Sequence, residues 1–154
     1  MEDLSALSQV AEFHHTFKHP IVERAAIPSK VRSKLRIDLI AEELKELQEA
    51  VDNDDLVEVA DALCDLQYVL AGAVLEFGLG TKFKTLFDEV HRSNMSKACK
   101  TVEEAEETIA FYKQTDKVDA YFKEIDGLYL VYRKGDDKTL KSINYSPADL
   151  KGLL

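Results

Sequence analysis

The chain has no tryptophan, only three prolines and six glycines, and two cysteines in 154 residues. With no tryptophan, a ring that stacks on a ligand must come from Phe, Tyr or His. Two cysteines exclude a dense disulfide framework, and Cys64 and Cys99 lack the close spacing of a zinc site. Cys64 sits in an apolar helical run and is expected as a reduced core thiol. No apolar run reaches the roughly 20 residues that span a bilayer. Basic residues are also scarce: 20 Lys and Arg stand against 29 Asp and Glu, a formal net charge of -9. That balance argues against a nucleic-acid polymer as partner. It leaves a nucleotide open, because bound metal reverses the sign of a site locally. Met1-Glu2-Asp3-Leu4 lacks the basic start of a targeting peptide. Together these features predict a cytoplasmic setting, with no membrane partner.

What is present is helical periodicity. The length suits one domain. Leu4, Leu7, Val10, Ala11, His14 and Phe17 recur at helical spacing, predicting a first helix from Asp3 to about Lys18, capped by Asp3 or Ser5. A connector with Pro20 and Pro28 follows. Ser29 is placed to cap a second helix running to about Val51, with Leu35, Ile37, Ile40, Leu44, Leu47 and Val51 as its core face. Asp52-Asn53-Asp54-Asp55 forms a turn short enough to make the next helix an antiparallel neighbour. That third helix runs from about Asp55 to Phe77 and stops at Gly78-Leu79-Gly80.

Thr81 is placed to cap a fourth helix ending near Lys97 or Cys99, and Thr101 a fifth from Val102 to Lys113. After Asp116 the pattern changes. Tyr121 to Arg133, folded at Asp126-Gly127, predicts a small β-hairpin, with a second turn at Gly135-Asp136-Asp137. The expected class is therefore an all-α antiparallel bundle of four to five helices, with residues 118–154 as a hairpin and tail on one domain.

Two acidic clusters stand out. Glu42-Glu43-x-x-Glu46, flanked by Glu49, lies on the second helix, and Glu58-x-x-Asp61, followed by Asp65, on the third. At about 100° per residue, Glu58, Asp61 and Asp65 share a stripe roughly 60° wide. The third helix is otherwise apolar nearly all round, the pattern of a buried helix. A buried unpaired carboxylate costs several kcal/mol or shifts its pKa. A cation or paired bases must compensate. Oxygen donors favour Mg2+ or Mn2+ over zinc or copper. By itself the Glu42–Glu49 stretch reads first as a solvated face, with Lys45 an ordinary surface charge, and it is the acids of the third helix that resist that reading. A di-iron bundle would need Glu-x-x-His pairs, which His14, His15, His19 and His91 do not form.

These two clusters resemble the signature of the all-α nucleoside triphosphate pyrophosphohydrolases, the MazG-like superfamily. The resemblance extends through Phe13-His14-x-x-Phe17, Asp61-Ala62-Leu63-x-Asp65 with Tyr68 and Gly72, and His91-Arg92-Ser93-Asn94-Met95-Ser96-Lys97. Asp137-Lys138, Lys141-Ser142 and Tyr145 complete a phosphoribosyl-ATP-pyrophosphohydrolase-like pattern covering nearly the whole chain. It implies hydrolysis of a nucleotide between the α and β phosphates, giving a monophosphate and pyrophosphate. It implies Mg2+ held by Glu43, Glu46, Glu58 and Asp61, with Asp65 as an additional or supporting group. It assigns Glu42 or Glu46 to the attacking water. Asn94 and Lys97, with Arg92, Lys141 and Tyr145, are implied for the substrate, and dimers or tetramers for the assembly. Phe13, His14 and Phe17 are candidates for the base, although an aromatic at helical spacing more often belongs to a core. The substrate itself is left open among canonical or modified triphosphates, dUTP and phosphoribosyl-ATP. A second reading, of another class, is a non-catalytic nucleotide-binding module on the same fold.

Overall fold

The computed structural model describes residues 5–154 and contains five helices and one two-stranded antiparallel sheet. The elements are α1 (Ala6–Phe17), α2 (Lys30–Asp52), α3 (Leu56–Glu76), α4 (Phe83–Met95), α5 (Val102–Thr115), β1 (Ala120–Ile125) and β2 (Leu128–Arg133). This is the expected all-α bundle with a hairpin. The chain divides into two compact units, one running through Phe83 and one from Lys84 to Leu154.

In the first unit, α2 and α3 pack along their length and α1 lies against α3. Local chemistry sets these boundaries. The Ser29 hydroxyl accepts from the Arg32 amide and opens α2. Asp55 accepts from the amides of Val57 and Glu58 and opens α3. Ser5 occupies the α1 cap position without a side-chain cap bond. The alternative cap, Asp3, lies outside the described residues. At the far end of α3, the Gly78 amide donates to the Leu75 carbonyl at 3.2 Å and Leu79 to Val74 at 3.0 Å. This double bond pattern needs a left-handed residue, and Gly78 has φ +69. A Cβ there would sit 2.1 Å from the Arg24 carbonyl oxygen. The connector is thereby strapped to the end of α3, with the amides of Val22 and Ala26 donating to the carbonyls of Leu75 and Phe77.

The core of this unit is Val10, Ala71 and Leu75. The third helix is not buried all round, as its composition predicted. Its last turns, from Ala71 to Glu76, are covered, but Leu56 is 79% exposed and Leu63 52%, and Val57 and Leu70 are open as well. Cys64 is exposed rather than a core thiol. On α2, Leu35, Ile37, Leu44 and Val51 of the expected core face are also exposed. Within this unit α3 has only α1 and α2 to pack against, and α1 is too short to cover the N-terminal half of a helix of 21 residues. Periodicity reports which residues are apolar, not what covers them.

In the second unit, α5 packs on both strands of the hairpin. Cys99, Ala105, Val131 and Leu140 form its core, joined by Phe122 and Tyr129. The Asp126-Gly127 turn pairs Ile125 with Leu128 through to Ala120 with Arg133. The segment after the second turn adds only an isolated bridge, Thr139 to Tyr132, rather than a third strand. The Thr101 hydroxyl caps α5 through the Glu104 amide, while the Glu104 carboxylate reaches back to the Lys100 amide.

Candidate active site

The antiparallel α2–α3 pair puts the two acidic clusters on facing helices. Glu43 is the centre of the arrangement. Its Oε2 is buried and has no hydrogen-bond partner. Burial pushes its pKa up, and the negative charges of Asp65, Glu46, Glu42 and Asp61 push it further in the same direction. An acid in that position feels four carboxylates and, among the described residues, none of the five has a Lys, Arg or His within ion-pair distance. Lys45 pairs with Glu49 at 3.0 Å, as the solvated-face reading of that residue expects, and of the five acids it feels Glu46.

Glu58 belongs to the next turn of the same interface. With Glu46, Glu49, Asn53 and Asp55 it lines an open cavity of about 410 Å³. Glu46 therefore touches both groups. Glu58, Asp61 and Asp65 are exposed, where an all-apolar helix predicted buried carboxylates. Among the described residues no three acidic, His or Cys side chains are gathered closely enough to form a ready-made metal site. The donor chemistry nevertheless suits a hard divalent ion: carboxylate oxygens only, one of them buried and unpaired, with mutual repulsion and, among the described residues, no ion pair to relieve it.

One turn further along both helices lies a second cavity, of about 210 Å³, lined by Phe13 and His14 from α1, His19, Arg32, Leu35, Arg36 and Leu39 from α2, and Tyr68 and Val69 from α3. Phe13 stacks on His19 at 5.7 Å and meets Tyr68 edge-on at 5.7 Å. His14 lines this cavity too, but both its nitrogens are taken. Nδ1 donates to the Pro20 carbonyl at 2.8 Å, and Nε2 accepts from Arg36 at 3.2 Å. Burial lowers its pKa, so the ring is neutral and that tautomer is fixed. Gly72 allows this contact, because a Cβ there would lie 2.7 Å from Arg36 Nη1.

Beneath the ring cavity is a network the sequence reading did not identify. Glu76, 1% exposed, receives both Arg32 and Arg36. Burial raises the Glu76 pKa, but hydrogen bonds from the two guanidinium groups outweigh it and hold the acid below its ordinary range. A signal existed: Glu76 is the only charged residue between Asp65 and Lys82. An acid in a last helical turn also opposes the helix dipole, so it needs another reason to be there.

The remaining candidates lie in the second unit. Lys97 donates to Asn94 Oδ1 at 2.8 Å. Arg92 pairs with Glu89 and donates to the Ser146 hydroxyl and the Pro147 carbonyl, so its guanidinium fastens the tail to α4. That contact, with the Asp149 amide, holds the Glu89 pKa down at about 2. The Tyr145 hydroxyl is bonded to Ser93 at 2.9 Å, and Lys141 Nζ lies 4.4 Å from the centre of the Tyr145 ring.

A family model described as phosphoribosyl-ATP pyrophosphohydrolase matches residues 10–94, more than half of the chain. The chain belongs to that family. It therefore falls within the MazG-like pyrophosphohydrolases, which act on nucleotide-like substrates and commonly use divalent metals. The match contains both acidic clusters and the ring cavity, and ends at Asn94. The chain is also 34% identical over 92 residues to an uncharacterized protein of Acanthamoeba polyphaga mimivirus, covering 57% of this chain and 37% of that one. It thus spans little more than a third of that relative.

Proposed function

We propose that the protein is a Mg2+-dependent nucleoside triphosphate pyrophosphohydrolase that cleaves between the α and β phosphates. The observation that carries this reading is Glu43: a buried, unpaired carboxylate oxygen among four other carboxylates, inside the segment the family match covers. Glu43, Glu46, Glu58 and Asp61 are the residues to hold Mg2+, or Mn2+ in its place, with Asp65 supporting them. A divalent ion there supplies phosphate charge neutralisation and an acidified water. Glu42, exposed beside Glu43, is assigned to orient that water and take its proton, with Glu46 the other carboxylate placed to do so. The Phe13–Tyr68 cavity is assigned to the base. For Asn94, Lys97, Arg92, Lys141 and Tyr145 the substrate role rests on the family resemblance alone.

The open apolar positions support a homodimer or homotetramer as the working form, for which we propose a cytoplasmic setting. Ile37, Leu44 and Val51 on α2, and Leu56, Leu63 and Leu70 on α3, recur every seven residues and are all exposed. Such stripes are the seam of a bundle, and covering each side chain is worth about 1.5–3 kcal/mol.

The test is a panel of canonical, deoxy and modified triphosphates, with phosphoribosyl-ATP, in Mg2+, assayed for monophosphate and pyrophosphate together. Equimolar release of the two supports the reading. Orthophosphate as the sole product overturns it. Tight nucleotide binding without turnover would instead identify a binding module.

A further inference from the structure

The ring cavity of the first unit has one polar edge, and that edge is made of donors. Aliphatic side chains and the rings of Phe13, His19 and Tyr68 form most of its wall. No Asp, Glu, Asn or Gln is among its lining residues. The polar groups held in place by bonds belong to His14, Arg32 and Arg36. Those of His14 are spent, since Pro20 takes one nitrogen and Arg36 the other. What remains is guanidinium, which carries N–H donors and no acceptor.

Arg32 is the accessible member. Glu76 grips its guanidinium from one side, through Nε at 3.0 Å and through Nη2. Such a two-point grip fixes the plane of the group. Among the described residues nothing bonds Nη1. The Arg32 side chain is 31% exposed, so a ligand can reach it, whereas Glu76 is closed off. Arg36 adds to the same character. Its Nη2 serves Glu76 and His14, and its buried Nε has no acceptor. The floor of the cavity thus holds two guanidinium charges against one carboxylate.

A ring seated here meets a fixed donor, so its own edge must supply the acceptor. A keto oxygen does so. An exocyclic amine sets N–H against N–H, leaves the guanidinium unpaired and finds no carboxylate or amide side chain on the lining. The Tyr68 hydroxyl and the His19 ring can donate or accept, so they do not decide between the two.

We propose that Arg32 is the specificity-determining residue of this cavity, selecting a base with a keto oxygen, such as uracil or hypoxanthine, over its amino counterpart, cytosine or adenine. Glu76 is the positioning residue that holds Arg32 in place. This role of Arg32 rests on the ring cavity being the base site of the proposed hydrolase.

The experiment uses the full-length protein in Mg2+ with two non-hydrolysable probes, the α,β-imido analogues of dUTP and dCTP. The two share sugar and phosphates and differ along one ring edge, keto against amino. Affinities are measured by calorimetry on wild type, Arg32→Lys and Arg32→Gln, each variant first shown to melt cooperatively. Lysine keeps a charge beside Glu76 and gives up the planar fork. Glutamine offers a donor and an acceptor on one amide. Wild type is expected to bind the dUTP analogue about tenfold tighter or more, with the ratio falling toward one in both variants. A merely structural role for Arg32 would weaken both probes alike and leave the ratio intact. In turnover of dUTP, the loss in Arg32→Lys should be carried by KM more than by kcat. A wild-type ratio near one, a preference for the dCTP analogue, no binding of either probe, or a ratio that survives in both variants overturns the proposal. The wild-type ratio decides alone if neither variant folds. Turnover on the wider nucleotide panel is scored separately. Keto preference in binding without turnover removes only the hydrolase reading, and turnover without that preference removes only the role of Arg32.

Discussion

The guanidinium of Arg36 on α2 is buried against the carboxylate of Glu76 in the last turn of α3. Arg32 shares the same carboxylate from the first turn of α2. The contact crosses the ends of the two longest helices and forms the floor of the ring cavity. Breaking a buried ion pair from one side leaves an uncompensated charge, which costs about 3–5 kcal/mol. Glu76→Gln is therefore expected to lower urea-denaturation stability by about that amount. Lys45→Ala, which removes an exposed and solvent-screened pair, should leave it nearly unchanged. A loss for Glu76→Gln as small as that for Lys45→Ala would show that the network does not hold the fold.

The same network predicts the acid limb of stability. His14 is kept neutral by burial, so its folded pKa lies below its ordinary 6.5. Below pH 6.5 the unfolded chain takes up a proton that the folded chain resists, and stability falls as pH drops. Glu76 has a folded pKa below its ordinary 4.5. Its contribution is fully present above 4.5 and is lost as pH falls through the lower, folded value. Stability of the metal-free protein should thus decline in two stages, one beginning near pH 6.5 and one below about 4.5. His14→Gln should remove the first stage and leave the second, measured by thermal melts from pH 7.5 to 3. A first stage that persists in His14→Gln would assign it to another group.

The helical class, the hairpin turn at Asp126-Gly127 and the cap at Ser29 were legible in the sequence because each is a local signal. The acidic clusters were legible for the same reason: a short turn makes their helices neighbours, and spacing fixes which carboxylates face across. What was not legible depends on cover. Cys64, Leu56 and Leu63 were expected inside because α3 is apolar, yet exposure is decided by which elements lie beside them, and in this unit α2 covers only one side of their half of the helix. The Arg32–Glu76–Arg36 network joins residues more than 40 positions apart, or 40 for Arg36, beyond any periodicity. Arg92 shows the same limit: no local signal announces that its guanidinium bonds to Ser146 and Pro147 of the tail, 54 and 55 positions on.

Those exposed stripes yield a prediction about assembly. Leu63 is the middle residue of the α3 stripe and is 52% exposed in the single chain. Leu63→Lys leaves the fold of one chain almost untouched but places a charge in the proposed seam. The wild type should elute as a dimer or larger by light scattering, with a melting temperature that rises with protein concentration. Leu63→Lys should shift toward monomer and lose that dependence. A wild type that is monomeric at tens of micromolar would leave the apolar stripes unexplained by self-association.

Glu43 offers the sharpest separation of catalysis from stability. Its carboxylate is destabilised in the metal-free fold, because burial and four neighbouring acids raise its pKa. A raised folded pKa means that the ionised form costs stability above the ordinary glutamate value of 4.5, and that protonation relieves the cost. Glu43→Gln mimics the relieved state. In metal-free buffer at pH 7 it should therefore melt at the wild-type temperature or above, with the difference vanishing below about pH 4.5. The same substitution removes an anionic oxygen donor. Turnover should fall by more than the roughly 10–100-fold typical of losing an outer partner of a metal site. Protection against melting by added Mg2+ should disappear with it. An inactive variant that is also less stable would mean that Glu43 holds the helices together, and the metal would have to be sought elsewhere on the α2–α3 interface. An active variant that keeps its Mg2+ protection would remove Glu43 from the ligand set and leave its unpaired oxygen without a purpose.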